Sequence, residues 1–307
     1  YQNVQANKSH GPGEGDTGVT VSQADGVQVR NNKIYNNHGT GLNIAESKNV
    51  TAQGNTIYDN FGTLVGVDAC TSVTLAANFV YCTTTTAYQS GTPPVRPTGI
   101  SLGDSSLTGP GKADSLLVAN NIVAGCGTNL LWTGEIPALG LKNSLIVNNT
   151  LAQAQNSGID LSEASNHTGN TFVNNITIQS NTGLIDLPDG VTTKLTGFTF
   201  TTNNWLGGDV PAAASHAGDV KANCQLADVT ATNPTGVAFI DGQNTGTFAR
   251  YLIKANGAYQ MPWDVMVSAN LNINDGAIRA QTINGPGAVS GGVNAAGAAQ
   301  TVTYNTL

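Results

Sequence analysis

Apolar residues recur along this chain in short alternating patches, and the patches themselves recur at a fixed step. Val19, Leu42 and Val65 stand 23 residues apart, as do Val21, Ile44 and Val67. The same step carries Val27, Val50 and Val73, then Val29, Ala52 and Leu75, then Ile34, Ile57 and Val80. Tyr35, Tyr58 and Tyr81 keep it too, and so do Asn32, Asn55 and Asn78. Within a unit, Val19-Thr20-Val21, Val27-Gln28-Val29 and Ile34-Tyr35 alternate with a period of two, which predicts three short strands with one buried face each. Patches this short cannot be helices. Three strands in a 23-residue unit predict one coil of a parallel β-solenoid, each coil stacking on the last at about 4.8 Å. No coil buries its apolar side chains alone, but the stack encloses one continuous core.

The Asn column has a physical reason. Asn tolerates left-handed backbone and bonds its own turn, and stacked amides can bond the coil above and below. The corner dipeptide continues at Asn120-Asn121, Asn148-Asn149, Asn174-Asn175 and Asn203-Asn204, at looser steps of 28, 26 and 29 residues. The step from Asn78 to Asn121 holds a Thr run (Thr83 to Thr86) and Pro93, Pro94 and Pro97, which predicts one coil plus a long protruding loop. Coils are expected over 1–225. Over 226–307 the rhythm is lost, and irregular late coils or a C-terminal β-cap are expected. A cap is needed because the last coil otherwise exposes a sheet edge. The first coil has the same need, and the chain begins in mid-pattern. A trimmed form, with self-association or a partner at an uncapped N-terminal coil, is expected.

The string Asn31-Asn32-Lys33-Ile34-Tyr35-Asn36-Asn37, with Gly41-Leu42-Asn43-Ile44, Asn49-Val50-Thr51 and Gly54-Asn55-Thr56-Ile57, resembles the right-handed parallel β-helix repeat of pectate lyase-like proteins. The resemblance covers 16–82 closely and 113–206 more loosely. It implies an all-β fold, a right-handed single-stranded parallel β-helix with an irregular β-rich C-terminal region. Enzymes of that kind commonly act on acidic polysaccharides, with a Lys, Arg or His removing a proton and Ca²⁺ or Arg neutralising the uronate. The Asp-Pro-His-Asp segment of alginate epimerases is absent, and one scaffold hosts several chemistries.

Composition narrows the partners. Only 10% of the 307 residues are charged and the net charge is −7. So little positive charge argues against nucleic acid and against an anionic membrane surface. No apolar run is long enough to span a membrane. The uncharged Asn, Thr and Gly-rich character is that of a secreted or cell-surface protein. The four cysteines form no CxxC pair, so a thiolate zinc site is not expected. Cys82 and Cys126 each follow a corner on neighbouring coils, and a disulfide there ties the base of the long loop.

Candidate chemistry follows from the alternation. With Ile34 inward, Lys33 and Tyr35 face outward, and Tyr35, Tyr58 and Tyr81 form either a sugar-binding aromatic stripe or a ladder that only stabilises the sheet. Asp160 and Asp186 lie between apolar residues and recur one coil apart, facing outward. They suit a glycosidase acid/base pair, a Ca²⁺ site or plain solvation. His38 aligns with the Glu14–Asp16 segment of the preceding coil, a neighbourhood for a general base. His10, in His10-Gly11-Pro12-Gly13, Arg30 and Lys33 complete the basic candidates. His167 and His216 have no visible partners. Acceptor patterns for N-glycosylation occur at Asn7, Asn49, Asn148, Asn166 and Asn175. The expected function is polysaccharide binding or modification, including uronate lyase chemistry. A surface structural or adhesive protein and a fragment of a phage-type tailspike are the alternatives.

Overall fold

The computed structural model describes residues 17–105, 113–134, 136, 138–163, 166–178, 180–189, 191 and 194–222, and the backbone of strands between 226 and 302. His10, Glu14, Asp16, Asn7 and Cys224, and with them the question of how the first coil is covered, lie outside the described residues.

Three seven-stranded parallel sheets run the length of the described stack. The first sheet holds Val19–Ser22, Leu42–Ala45, Val65–Asp68, Ile100–Gly103, Leu130–Thr133, Ser157–Asp160 and Gly183–Asp186. The second holds Gln28–Arg30, Thr51–Gln53, Thr74–Ala76, Leu117–Ala119, Leu145–Val147, Asn170–Val173 and Phe198–Thr201. The third holds Lys33–Tyr35, Thr56–Tyr58, Phe79–Tyr81, Ile122–Ala124, Thr150–Ala152, Ile176–Ile178 and Asn204–Leu206. One strand from each sheet makes a coil, and each pairs only with its counterparts one coil away. The 23-residue columns are the observed register: Val19 pairs with Leu42 and Leu42 with Val65, while Ile34 pairs with Ile57 and Ile57 with Val80.

Inward side chains stack into rows. One runs Val29, Ala52, Leu75, Val118, Ile146, Phe172 and Phe200. Another runs Ile34, Ile57, Val80, Val123, Leu151, Thr177 and Trp205. All are buried. A strand of three or four residues contributes one or two such side chains, so the core is stable only as a stack, and deleting any large member costs about 2–5 kcal/mol.

The three bends differ, and the difference positions the site. Between the second and third sheets the bend is always a dipeptide: 31–32, 54–55, 77–78, 120–121, 148–149, 174–175 and 202–203. Its first residue is left-handed, with φ of +52° to +56° at Asn31, Ala77, Asn120, Asn148, Asn174 and Thr202, and Gly at 54. Its second residue is Asn in every coil; the last corner is Thr202-Asn203, one residue before the Asn203-Asn204 expected from the sequence. The two bends that border the first sheet do not stay short. After the first three coils, the segment entering that sheet lengthens once, to 82–99, and the segments leaving it lengthen to 104–116, 134–144, 161–169 and 187–197.

Residues 235–307 form a second compact unit. Its strands pair antiparallel: Leu252–Met261 with Val265–Asn274, the latter with Ala277–Asn284, and Val289–Val293 with Ala299–Val302. The irregular rhythm there reflects antiparallel hairpins in place of parallel coils.

Candidate functional site: the outer face of the first sheet

Two columns of side chains face outward from the first sheet. One runs Thr20, Asn43, Gly66, Ser101, Leu131, Asp160 and Asp186. The other runs Ser22, Ala45, Asp68, Gly103 and Thr133. Both are mostly small and polar, and neither holds a Lys, Arg or His. Asp160 and Asp186 are register partners on adjacent coils, both half-buried. Asp160 accepts from the Ser162 backbone N–H at 2.9 Å, and Asp186 accepts from the Ser157 hydroxyl. Three coils earlier, the Asp68 carboxylate is fixed by the Ser105 N–H at 2.9 Å and by the Ser105 hydroxyl. The Ser101 and Thr133 hydroxyls lie 3.2 Å apart.

The long segment 82–99 borders this sheet along its entering edge. It is anchored to later coils: the Arg96 N–H donates to Gln155 Oε1 at 2.8 Å, Gln155 Nε2 donates to the Pro94 carbonyl at 2.8 Å, and the Gly127 N–H donates to the Pro97 carbonyl at 2.8 Å. Its base is tied by the Cys82–Cys126 disulfide. Asp59 holds the start of the segment, accepting the Thr83 N–H at 2.8 Å and the Thr83 hydroxyl at 2.9 Å. Burial raises the Asp59 pKa, against the Thr83 bonds and the attraction of Arg96. Burial lowers the Arg96 pKa, and Asp59 counters it. Tyr81 and Tyr88 are raised, by burial first and then by neighbouring groups that include Asp59.

The tyrosine column forms a ladder. Tyr35 and Tyr58 stack with centroids 4.9 Å apart and planes 6° apart, and Tyr58 and Tyr81 with 4.7 Å and 9°. A sugar platform needs an open ring face, whereas here each inner face covers its neighbour's. Tyr81, outward by alternation, is only 6% exposed. Lys33 Nζ lies 5.0 Å from the Tyr35 centroid and 5.4 Å from that of Tyr58, a cation–π arrangement at the end of the ladder.

The basic candidates are dispersed. Arg30 stands on the second sheet, Lys33 on the third, and His38 on the bend that follows. His38 stacks on Phe61 at 5.8 Å, and its Nδ1 is buried with no hydrogen-bond partner among the described residues. His167, partnerless in the sequence, has a structural place: its Nδ1 accepts the Leu141 N–H at 3.1 Å, and its ring packs on Trp132 and Phe198. Burial lowers its pKa to about 4, so it is neutral at physiological pH. Of the glycosylation patterns, Asn175 is buried inside the Asn ladder, while Asn49, Asn148 and Asn166 are exposed. Among the described residues no three His, Cys, Asp or Glu side chains converge as metal ligands, and no helix is long and apolar enough to cross a membrane.

Comparison with known proteins follows the fold. No curated protein matches the chain. Among solved structures, the chain is similar to a crystal structure of a mutant periplasmic alginate epimerase, at 13% identity and a TM-score of 0.38. That match covers 57% of this chain and 45% of the other, so the chain spans under half of that structure's length. A family model described as a right-handed β-helix region matches residues 2–110. That match and the three parallel sheets that continue in register through Leu206 together identify the fold of these coils as a right-handed parallel β-helix.

Proposed function

We propose that the protein is an extracytoplasmic β-helix that holds a polysaccharide strand along the outer face of its first sheet. The observation that carries this reading is the distribution of bend lengths. Only the two bends bordering the first sheet have grown, while the bend between the other sheets stays at two residues in every coil. Loops on a rigid scaffold are where recognition is placed. The face between them is long and mostly polar, which suits a polymer, and most coils offer a hydroxyl, amide or carboxylate group to a repeating ligand. The Cys82–Cys126 disulfide supports an oxidising compartment.

Two catalytic extensions differ in what this face offers them. Proton abstraction from a uronate needs a cation beside the substrate carboxylate, and the two outward columns supply none. Hydrolysis needs two carboxylates. The Asp160–Asp186 pair stands one coil rise apart, about 4.8 Å at the backbone, near the roughly 5 Å carboxyl spacing of retaining glycosidases. Ca²⁺ at these two carboxylates would serve binding instead of hydrolysis.

Affinity electrophoresis through gels cast with neutral and acidic glycans, with and without Ca²⁺, tests binding. Reducing-end release and the ultraviolet absorbance of unsaturated uronates test catalysis. Retention of the wild type in at least one gel is expected, with any reducing ends lost in Asp160→Asn and Asp186→Asn. Unsaturated products would move the chemistry to Lys33, His38 or His10. No retention in any gel would favour a structural or adhesive role.

A further inference from the structure

We propose that Gly66 forms a sub-site for an uncharged pyranose ring at the middle of the first sheet's outer face, an inference that rests on the glycan-binding reading above. In its outward column, every other position carries a side chain: Thr20, Asn43, Ser101, Leu131, Asp160 and Asp186. Gly66 leaves a notch one side chain deep. Backbone conformation does not require glycine there, because its φ is not left-handed. Packing does not strictly require it either. A Cβ at Gly66 would sit 3.3 Å from Asn43 Oδ1 and 3.9 Å from Thr40 Cγ2, contacts that a side-chain tip can relieve.

The border of the notch is oxygen-rich. Asn43 precedes it in the column, Ser101 follows it, and Asp68 stands beside it, two residues along the same strand. Asp68 is held in place by Ser105, and among the described residues it forms no ion pair. Gly103 carries no side chain to hold Asp68 and Thr133 apart. A Cβ there would lie 2.8 Å from Thr133 Oγ1 and 3.0 Å from Asp68 Oδ1. A carboxylate and an amide oxygen accept hydrogen bonds from sugar hydroxyls, and the Ser and Thr hydroxyls act as either partner. A flat ring can rest on bare backbone where a Cβ is missing. A uronate carboxylate in the same place would face Asp68 with no neutralising group in either column, so repulsion selects against it. The ligand class is therefore a neutral, hydroxyl-rich glycan.

Retardation of the wild type, Gly66→Ala, Gly66→Thr and Asp68→Asn in gels of several neutral glycans and of polygalacturonate and alginate tests this, with a thermal melt confirming that each variant is folded. The expected result is retention of the wild type by a neutral glycan over both polyuronates. A several-fold loss is expected for Gly66→Ala, with a tenfold or greater loss for Gly66→Thr. Asp68→Asn should narrow the gap between neutral and acidic glycans. Undiminished retention of folded Gly66→Thr would overturn the sub-site while leaving glycan binding intact. A wild type that prefers polyuronates would overturn the ligand class. A wild type retained by nothing would overturn the binding reading and the sub-site together.

Discussion

At each bend between the second and third sheets, two neighbouring residues do different work. The first accepts the left-handed backbone, and the second spends its amide on the stack. Asn121 donates its N–H and its Nδ2 to Asn149 Oδ1, both at 2.9 Å, and also donates from Nδ2 to the Leu75 carbonyl at 2.9 Å. It accepts from the Asn78 N–H at 3.0 Å and from Asn78 Nδ2 at 2.9 Å. The ladder runs through seven Asn and ends on a carboxylate: the Asn203 N–H donates to Asp219 Oδ1 at 2.8 Å, and Trp205 Nε1 donates to Asp219 Oδ2 at 3.1 Å. Replacing Asn121 with Ala strands a buried N–H one coil away. A loss of about 2–3 kcal/mol in urea unfolding is expected, against under about 1 kcal/mol for Asn32→Ala at the exposed end. Equal losses would mean that the ladder is not cooperative with burial.

Two further residues give opposite expectations. Thr177 is fully buried in a row otherwise filled by apolar side chains, and its hydroxyl has no partner among the described residues. Thr177→Val removes that cost at constant shape and should stabilise the fold by about 1 kcal/mol, read as a raised urea midpoint. Asp59 is left-handed at φ 45°, a conformation that Asn also takes readily. Its folded pKa lies above its unfolded value, so the folded chain binds the proton more tightly. Its contribution to stability is therefore fully present at low pH and falls as pH rises through the folded pKa. Asp59→Asn has no such titration. The stability of the variant relative to wild type should rise as the pH climbs above about 4, the ordinary Asp value, with urea midpoints at a series of pH values as the check.

The Asn and apolar columns were legible in the sequence because three coils keep a constant step. The role of His167 was not. By its coil the step has drifted, and only the observed pairing of Lys142 with Thr168 brings His167 beside Leu141. Gly66, Ser101 and Asp68 carried no signal either. Small polar residues form no motif, and the long segment 82–99 hides that Gly66 and Ser101 are register partners.

Among the elements, the segment between the third coil's last strand and Ile100 is the longest of the bends between sheets. The Thr and Pro runs marked it, and Cys82 and Cys126 marked its base. Its second anchor, through Gln155, joins residues about sixty positions apart with no pattern to connect them. The disulfide closes a separation of 44 residues, which the chain-entropy model values at about 4 kcal/mol. The ladder and sheets nevertheless hold the coils on either side. Reduction, or Cys82→Ser with Cys126→Ser, is expected to open this segment to limited proteolysis within 83–98 while the remaining coils resist cleavage. Cleavage spread evenly along the chain would show that the disulfide supports the whole stack.

On the scale of the molecule, stacking short coils creates a long face and repeats it three times, and only the first sheet has added sequence along both of its borders. A bulky side chain on the floor of that face should block a ligand lying along it, whereas the same change on the second sheet should not. Ser101→Trp and Gln53→Trp, both at outward positions, make that comparison. The most direct measurement is the retardation of the wild type and these two variants in a gel of whichever glycan the wild type binds, with melting temperatures matched. If the first sheet's face carries the glycan, Ser101→Trp migrates as if the glycan were absent and Gln53→Trp is held back like the wild type. Retention of Ser101→Trp equal to that of the wild type would contradict it.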